Sequence, residues 1–226
     1  MAIEYDVIII GGGAAGENVA GRTSPGGLTT VIIESELVGG ECSYWACMPS
    51  KALLRPAEAL AAARAVPAIS DAITGTVDVG KTLRSRNAFA NGWNDYWQVK
   101  WVESVNADLV RGHARLTGPR AVSVDLAEGG TLDLVARKAV VLATGSSPIV
   151  PAIDGIADVS PLGSRDIVVR QDVPKSLVIL GGGAVGLEMA EAWNSLGAQV
   201  TVVTHSTLDD SRRVEPFAMH IIDEAF

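Results

Sequence analysis

The chain has 226 residues, of which 48% are hydrophobic, with a formal net charge of -8 and two cysteines. That length and composition suit one large or two small globular domains with a buried core. The acidic balance, with an isoelectric point near 4.9, argues against nucleic acid or an anionic membrane surface as a partner. No segment reaches the roughly 18 uninterrupted apolar residues of a membrane span. The acidic start Met1-Ala2-Ile3-Glu4 lacks the basic region of a secretory signal, so a cytoplasmic location is expected.

The first predicted element is an apolar strand, Tyr5 to Ile10, followed by Gly11-Gly12-Gly13-Ala14-Ala15-Gly16. A helical pattern runs from Ala14 to Thr23, and Ser24-Pro25-Gly26-Gly27 ends it. A second strand, Thr29 to Ile33, leads into Glu34. In a G-x-G-x-x-G turn between strand and helix, the first glycine permits the tight turn. The second lets the backbone approach a pyrophosphate, and the third lets helix and strand pack closely. The phosphates then rest on the amides of the helix N-terminus. Glu34, 23 residues after Gly11, can accept hydrogen bonds from ribose hydroxyls and repels a 2′-phosphate, which suits the adenosine ribose of FAD or NAD.

Next comes Gly39-Gly40-Glu41-Cys42-Ser43-Tyr44-Trp45-Ala46-Cys47-Met48-Pro49-Ser50-Lys51. In a reducing compartment a close cysteine pair points to catalysis or metal binding rather than to a structural bridge. Zinc would need two further ligands, and His113, His205 and His220 are far away in sequence. Beside a nucleotide-binding unit, the pair reads as a dithiol that exchanges electrons with a redox cofactor. Pro49 is tolerated in a helix first turn, so the cysteines are expected at or just before a helix start. The amides and dipole there favour a thiolate and lower the thiol pKa. In a regular helix, residues five apart are too far separated for a disulfide, whose Cα atoms lie within about 6.8 Å. Bridging therefore needs a loop or a distorted first turn. Lys51 is a candidate partner for a nearby anion. The plainer alternative is two buried, inert cysteines and a surface lysine.

Pro49 to about Val66 is alanine- and leucine-rich and predicts a helix, and Ala68 to Val77 a loop. Asp78 to about Val105 reads as one long helix. Its Phe89, Trp93, Tyr96, Trp97 and Trp101 recur at three- and four-residue steps and form an apolar stripe, expected to be a packing face. Short strands are predicted at Leu109 to Val110, Ala121 to Leu126 and Leu132 to Val135, with turns at Gly118-Pro119 and Glu128-Gly129-Gly130. A buried-type strand, Lys138 to Ala143, ends in Thr144-Gly145-Ser146-Ser147-Pro148, whose small residues allow a ligand to approach. The proline-bearing stretch Ile149 to Pro161 is the best linker.

At an offset of 170 residues the first unit repeats. Ser176 to Leu180 is a strand, Gly181-Gly182-Gly183-Ala184-Val185-Gly186 is the turn, Ala184 to Leu196 is a helix ended by Gly197, and Gln199 to Val203 is a second strand. Two copies, each in strand and helix context, predict two nucleotide sites, although a duplicated scaffold without ligand has the same pattern. At the position equivalent to Glu34 stands Thr204, followed by His205 and Ser206, with Arg212 and Arg213 further on. Loss of the carboxylate removes the bar to a 2′-phosphate, and basic groups can pair with one. NADP(H) is therefore favoured over NAD(H), unless the arginines simply begin a solvated helix. The expected fold is α/β with two Rossmann-like nucleotide-binding domains of the three-layer ββα type, the second incomplete. Residues 1–150 would form a cofactor domain carrying the cysteine pair and a β insertion, and residues 152–226 an NAD(P)-binding domain.

These motifs together resemble the FAD-dependent pyridine nucleotide–disulfide oxidoreductases. The resemblance rests on Gly11 to Gly16 with Glu34, on Gly39-Gly40 with Cys42-x4-Cys47 and Pro49-Ser50-Lys51, on Ala143-Thr144-Gly145, and on Gly181 to Gly186 with Glu188. It implies FAD across the first unit, held by Gly11, Gly13, Ala14, Ala15, Gly16, Glu34, Ser35, Gly40, Glu41, Lys51, His113, Ala114, Ala143, Thr144, Gly145 and Ser146. It implies that Cys47 is the flavin-side thiol, in charge-transfer contact with the isoalloxazine ring, and that Cys42 attacks the substrate disulfide. Lys51 would approach the flavin N5 and pair with Glu188. Gly181, Gly183, Ala184, Val185, Gly186, Thr204 and His205 would hold the nicotinamide nucleotide. The substrate would be a small-molecule disulfide or thiol, and the full-length form a homodimer. The chain departs from the family pattern at Glu41, where threonine is usual, and at Ser43-Tyr44-Trp45-Ala46, where the family has Leu-Asn-x-Gly. Two bulky aromatics beside the flavin would then alter substrate access or flavin packing. Family members are about twice as long, and their acid–base His–Glu pair lies in the further half, with His220 a poor substitute, so a partial chain is expected. The competing readings are another kind of flavin enzyme with inert cysteines, and a non-enzymatic or inactive nucleotide-binding fragment.

Overall fold

The computed structural model describes residues 2–204. His205, Ser206, Arg212, Arg213 and His220 lie outside the described residues.

The chain forms two compact units, residues 1–49 with 87–163, and residues 50–86 with 164–226. The first begins with β1 (Ile3–Ile10), α1 (Ala14–Thr23) and β2 (Thr30–Glu34). β1 and β2 are near-continuous Ile and Val runs because both of their faces are buried. Ile8, Ile10, Val31 and Ile33 point to one side, and Val7, Ile9 and Ile32 to the other. The short α2 (Gly40–Tyr44) follows, then α3 (Cys47–Arg64), which starts in the first unit and continues, from Ser50, in the second. α4 (Val79–Phe89) belongs to the second unit up to Arg86, and α5 (Tyr96–Ser104) to the first.

The expected single helix from Asp78 to Val105 is thus broken. Asn91, Gly92 and Trp93 take φ angles of +48°, +61° and +56°, a left-handed run that cannot continue a right-handed helix. The aromatic stripe is broken with it: Tyr96 and Trp97 are 51% and 66% exposed, while Trp101 packs against the α1 face at Gly21.

β3 (Asp108–Gly118), β4 (Ala121–Leu126) and β5 (Thr131–Leu142) complete the first unit's sheet. β1, β2 and β3 are parallel neighbours, β4 pairs antiparallel with β3 and β5, and β5 returns parallel to β1, so the pairing closes on itself. Val122, Val124, Leu134 and Ala136 fill the inside of this ring against β1 and β2. On the outer face of β1 and β2, Ala20 of α1, Val38 and Val102 of α5 complete a second core. The result is three layers: strand meander, parallel sheet, helices. β5 unites two stretches that the sequence separates. The register slips between Tyr5 and Val7 of β1, a bulge that accommodates Arg137 and Lys138 without ending the strand. Arg137 Nε donates to Asp6 Oδ1 at 3.1 Å at that point.

In the second unit, α6 (Ser164–Val169), which sequence reading missed, precedes β6 (Ser176–Leu180), α7 (Ala184–Ser195) and β7 (Gln199–Val203). Leu53 and Leu54 of α3, Leu83 of α4, Ile167 and Val168 of α6, and Met189 and Trp193 of α7 share one core. Segment 50–86 therefore packs with the second βαβ unit. Arg86, fully buried, donates to the Val168 and Arg170 carbonyls at the end of α6, and burial pulls its pKa down to about 10.

The duplication extends to backbone geometry. Val7 pairs with Thr30 in the first unit and Leu177 with Val200 in the second, each pair shifted by the same 170 residues. Gly11 and Gly181 have φ of +105° and +110°.

Candidate active site

The ends of β1, β2 and β5 meet at the first glycine turn. Gly11 N donates to the Ile33 carbonyl at 2.9 Å, and Ala143 N to the Ile10 carbonyl at 2.8 Å. A Cβ on Gly11 would lie 2.2 Å from the Ala143 carbonyl oxygen, and one on Gly16 would lie 2.0 Å from the Gly11 oxygen. The first and third glycines are thus required by contact. Gly13 caps the start of α1, and Ala14 and Ala15 form its exposed first turn.

A second glycine pair closes on this turn. Gly39 N donates to the Gly12 carbonyl at 2.7 Å. A Cβ on Gly40 would lie 2.9 Å from Gly13 Cα. The starts of α1 and α2 therefore meet backbone to backbone, with no side chain between them. Glu34 closes the lip: Oε2 accepts from Gly12 N at 2.6 Å and Oε1 from Glu36 N at 2.7 Å, with Ser35 beside it. This cradle of bare amides and a carboxylate at strand C-termini fits a dinucleotide pyrophosphate and an adenosine ribose. Thr144, Gly145 and Ser146 follow the end of β5 and are exposed, Gly145 with φ +70°. His113 and Ala114 lie on β3, just beyond the Glu34–Arg111 pairing, with His113 exposed.

Asp95 and Arg111, which sequence reading did not single out, hold the loop between β2 and α2. Asp95 Oδ2 accepts from Val38 N at 2.9 Å and from Arg111, whose Nη1 donates to the Glu36 carbonyl at 2.7 Å.

Cys42 lies within α2 and Cys47 is the first residue of α3, with Trp45 and Ala46 breaking the helix between them. The break solves the spacing problem, and the two thiols, which are not joined in a disulfide, stand within hydrogen-bonding reach. Burial pushes the Cys42 thiol up to about 11, aided by the Cys47 thiol and the Glu17 carboxylate. This reverses the expectation of a lowered thiol pKa for Cys42: desolvation and neighbouring negative charge outweigh the helix amides. Glu17, whose own pKa burial raises, follows directly on the third glycine, where a carboxylate in the first turn of a half-buried helix was the signal to read. Tyr44 is buried, its hydroxyl donating to Gln98 Oε1 of α5 at 2.9 Å, and Trp45 meets its ring edge-on. Glu41 lies beside Cys42 in α2.

In the second unit, Lys51 Nζ donates to Glu188 Oε1 at 2.5 Å, both side chains partly exposed. Gly183 caps α7, and a Cβ on Gly186 would lie 2.3 Å from the Gly181 oxygen. Ala184 and Val185 form the exposed first turn of α7, and Thr204 follows β7. Among the described residues no group of three His, Cys, Asp or Glu side chains is placed to hold a metal ion, and no helix is long and apolar enough to cross a membrane.

The chain is similar to several known proteins. A dihydrolipoyl dehydrogenase of Bacillus subtilis is 33% identical over 219 residues, 91% of this chain and 45% of that protein. Dihydrolipoyl dehydrogenase 3 of Pseudomonas aeruginosa is 36% identical over 91% of this chain and 44% of its own length. A mercuric reductase of Lysinibacillus sphaericus is 29% identical over 89% of this chain and 36% of its own. The chain thus spans less than half the length of these relatives. The fold matches that of a mutant of the flavoprotein disulfide reductase RclA from Escherichia coli, with a TM-score of 0.80 over 99% of this chain and 48% of that one at 24% identity. Because the family model for pyridine nucleotide-disulphide oxidoreductases matches residues 5–224, the chain belongs to that family.

Proposed function

We propose that the chain carries the flavin and disulfide centre of an NAD(P)H–disulfide oxidoreductase acting on a small-molecule disulfide or thiol. Members of the family use FAD and NAD(P)H. The observation that carries the reading is the pair of adjacent thiols, Cys42 on α2, whose start meets the glycine cradle, and Cys47 at the first residue of α3. The working division is an FAD-binding domain over residues 1–150 and an NAD(P)-binding domain over residues 152–226, in a homodimer. FAD, when bound, supplies a carrier that accepts a hydride and passes on an electron pair. Gly11 to Gly16, Gly40 and Glu34 would hold its pyrophosphate and ribose, with Ser35, Glu41, His113, Ala114 and Thr144 to Ser146 around them. Gly181 to Gly186 would hold the nicotinamide nucleotide, and Thr204, in place of a carboxylate, favours NADP(H).

Two electrons and two protons convert the Cys42–Cys47 disulfide into two thiols. Cys42, as thiolate, attacks one sulfur of the substrate disulfide and releases the other as a thiol. Cys47, as thiolate, then displaces the bound sulfur and restores the internal disulfide. Run in reverse, the same steps oxidise a dithiol. Lys51 would approach the flavin, with Glu188 fixing its ammonium group.

The test is the visible spectrum of the purified protein before and after anaerobic reduction by one equivalent of dithionite. A long-wavelength charge-transfer band that is lost in Cys47→Ser is expected. Bound flavin without such a band would refute the coupling of thiols to flavin, and a colourless protein would refute flavin binding by this chain.

A further inference from the structure

Tyr44 sits between the two thiols in sequence and is 1% exposed. It is gripped from both ends. Its hydroxyl donates to Gln98 Oε1 at 2.9 Å and reaches the Asn94 carbonyl at 3.4 Å. Its own carbonyl accepts from Trp93 Nε1 at 3.1 Å. Trp93 makes that contact from a backbone φ of +56°, following Asn91 and Gly92 at +48° and +61°. Asparagine and glycine adopt this region readily, but a tryptophan does so under strain. The turn is tied by Asn91 Nδ2 donating to the Asn94 carbonyl at 2.7 Å and by Tyr96 N donating to Asn94 Oδ1 at 2.9 Å. Strain held in this way persists only where the surroundings over-determine it, and it concentrates at functional positions.

α2 ends at Tyr44, and Trp45, with φ −131° and ψ −4°, leaves the helix. The direction of α2 relative to the start of α3 is therefore set at this residue, and with it the place of Cys42 relative to Cys47. A disulfide tolerates only a narrow Cα separation, about 4.4–6.8 Å. We propose that Tyr44, clamped on α5 and the Asn91–Trp93 turn, is the positioning residue that holds Cys42 opposite Cys47 for disulfide closure. This rests on the reading of the pair as a redox dithiol. It also gives the aromatic pair between the cysteines a role: Tyr44 is an anchor.

The test is equilibration of the full chain with mixtures of reduced and oxidised glutathione, followed by alkylation and mass analysis. One internal disulfide and two glutathiones exchange for two thiols and one glutathione disulfide, so the chain's pair is reduced as glutathione is oxidised. The variants are Tyr44→Phe, Gln98→Leu and, as a remote loss of the same group, Tyr5→Phe, whose hydroxyl donates to Asp108 Oδ2 at 2.8 Å. Wild type forms the Cys42–Cys47 disulfide. Tyr44→Phe and Gln98→Leu each weaken it by about tenfold in the exchange constant, and Tyr5→Phe leaves it unchanged. Gln98→Leu, which leaves Tyr44 itself unchanged, carries the test if Tyr44→Phe does not fold. Exchange constants equal to wild type in the clamp variants, or an equal shift in Tyr5→Phe, overturn the positioning role alone. A wild-type chain that forms no such disulfide at any glutathione ratio overturns the redox reading and this inference with it.

Discussion

Gly16→Ala and Gly186→Ala are matched perturbations of the two nucleotide units. A Cβ at Gly16 would stand 2.0 Å from the Gly11 oxygen and 3.3 Å from Ile9 Cγ2. At Gly186 the corresponding distances, to the Gly181 oxygen and Ile179 Cγ2, are 2.3 Å and 3.3 Å. Restoring an ordinary carbon–oxygen contact needs the helix to retreat from the turn by about 1 Å. Overpacking of this kind costs about 1–3 kcal/mol. In a chain of this size each kcal/mol lowers the melting temperature by about 2–4 °C. The same retreat carries the amides of Gly13 to Ala15 away from the phosphate position. Gly16→Ala is therefore expected to lower flavin affinity by about tenfold or more, an additional 1.4 kcal/mol at least, while Gly186→Ala spares the flavin and weakens the nicotinamide nucleotide. Flavin absorbance per protein after gel filtration, and equilibrium dialysis of NADPH, read the two effects. A Gly16→Ala protein with wild-type flavin content and melting temperature would refute the contact argument. Loss of both ligands in both variants would refute the assignment of one nucleotide to each cradle.

Three further outcomes follow from the site and its supports. In reduced protein, the alkylation rate at Cys42 should rise with pH and level off only near its raised pKa of about 11, because burial, the Cys47 thiol and the Glu17 carboxylate all disfavour the thiolate. Cys47→Ala and Glu17→Gln should each move that plateau to lower pH, and profiles superimposable on wild type would sink the electrostatic account. Arg86→Met leaves the Val168 and Arg170 carbonyls without their buried donor. It should cost about 2–5 kcal/mol in urea unfolding, with Arg86→Lys a poor rescue because an ammonium lacks the fork; a loss below about 0.5 kcal/mol would contradict this. Glu188→Gln breaks an exposed ion pair, so stability should change by less than about 1 kcal/mol, while anaerobic flavin reduction by NADPH slows; an unchanged reduction rate would remove Lys51–Glu188 from the proposed route.

Much of the fold was legible because its signals are local. α1 starts and stops where the glycines and Ser24-Pro25 place it, and β6 and β7 match their apolar runs. The cysteine motif was legible as chemistry, but its geometry was not. Whether two thiols five residues apart can meet depends on where a helix breaks, and here Tyr44, held by Gln98 and Trp93 from distant sequence, decides that. An aromatic between two cysteines carries no sign in sequence of what buries it, so the burial of Tyr44 was not legible there.

By itself the sequence determined the two βαβ units and their glycine cradles, since close approach of backbone to backbone excludes a side chain at Gly11, Gly16 and Gly186. Apolar runs buried on both faces determined the parallel strands beside them. Tertiary structure alone decided three things. The Asn91–Trp93 turn interrupts an otherwise helical pattern. The register slip opposite Arg137 makes one strand of two stretches. Burial near Glu17 raises the Cys42 pKa where a helix start would lower it. In the last two cases the deciding energy comes from residues distant in the chain, and in the first the Trp93–Tyr44 contact joins a turn otherwise tied locally; local periodicity registers none of these.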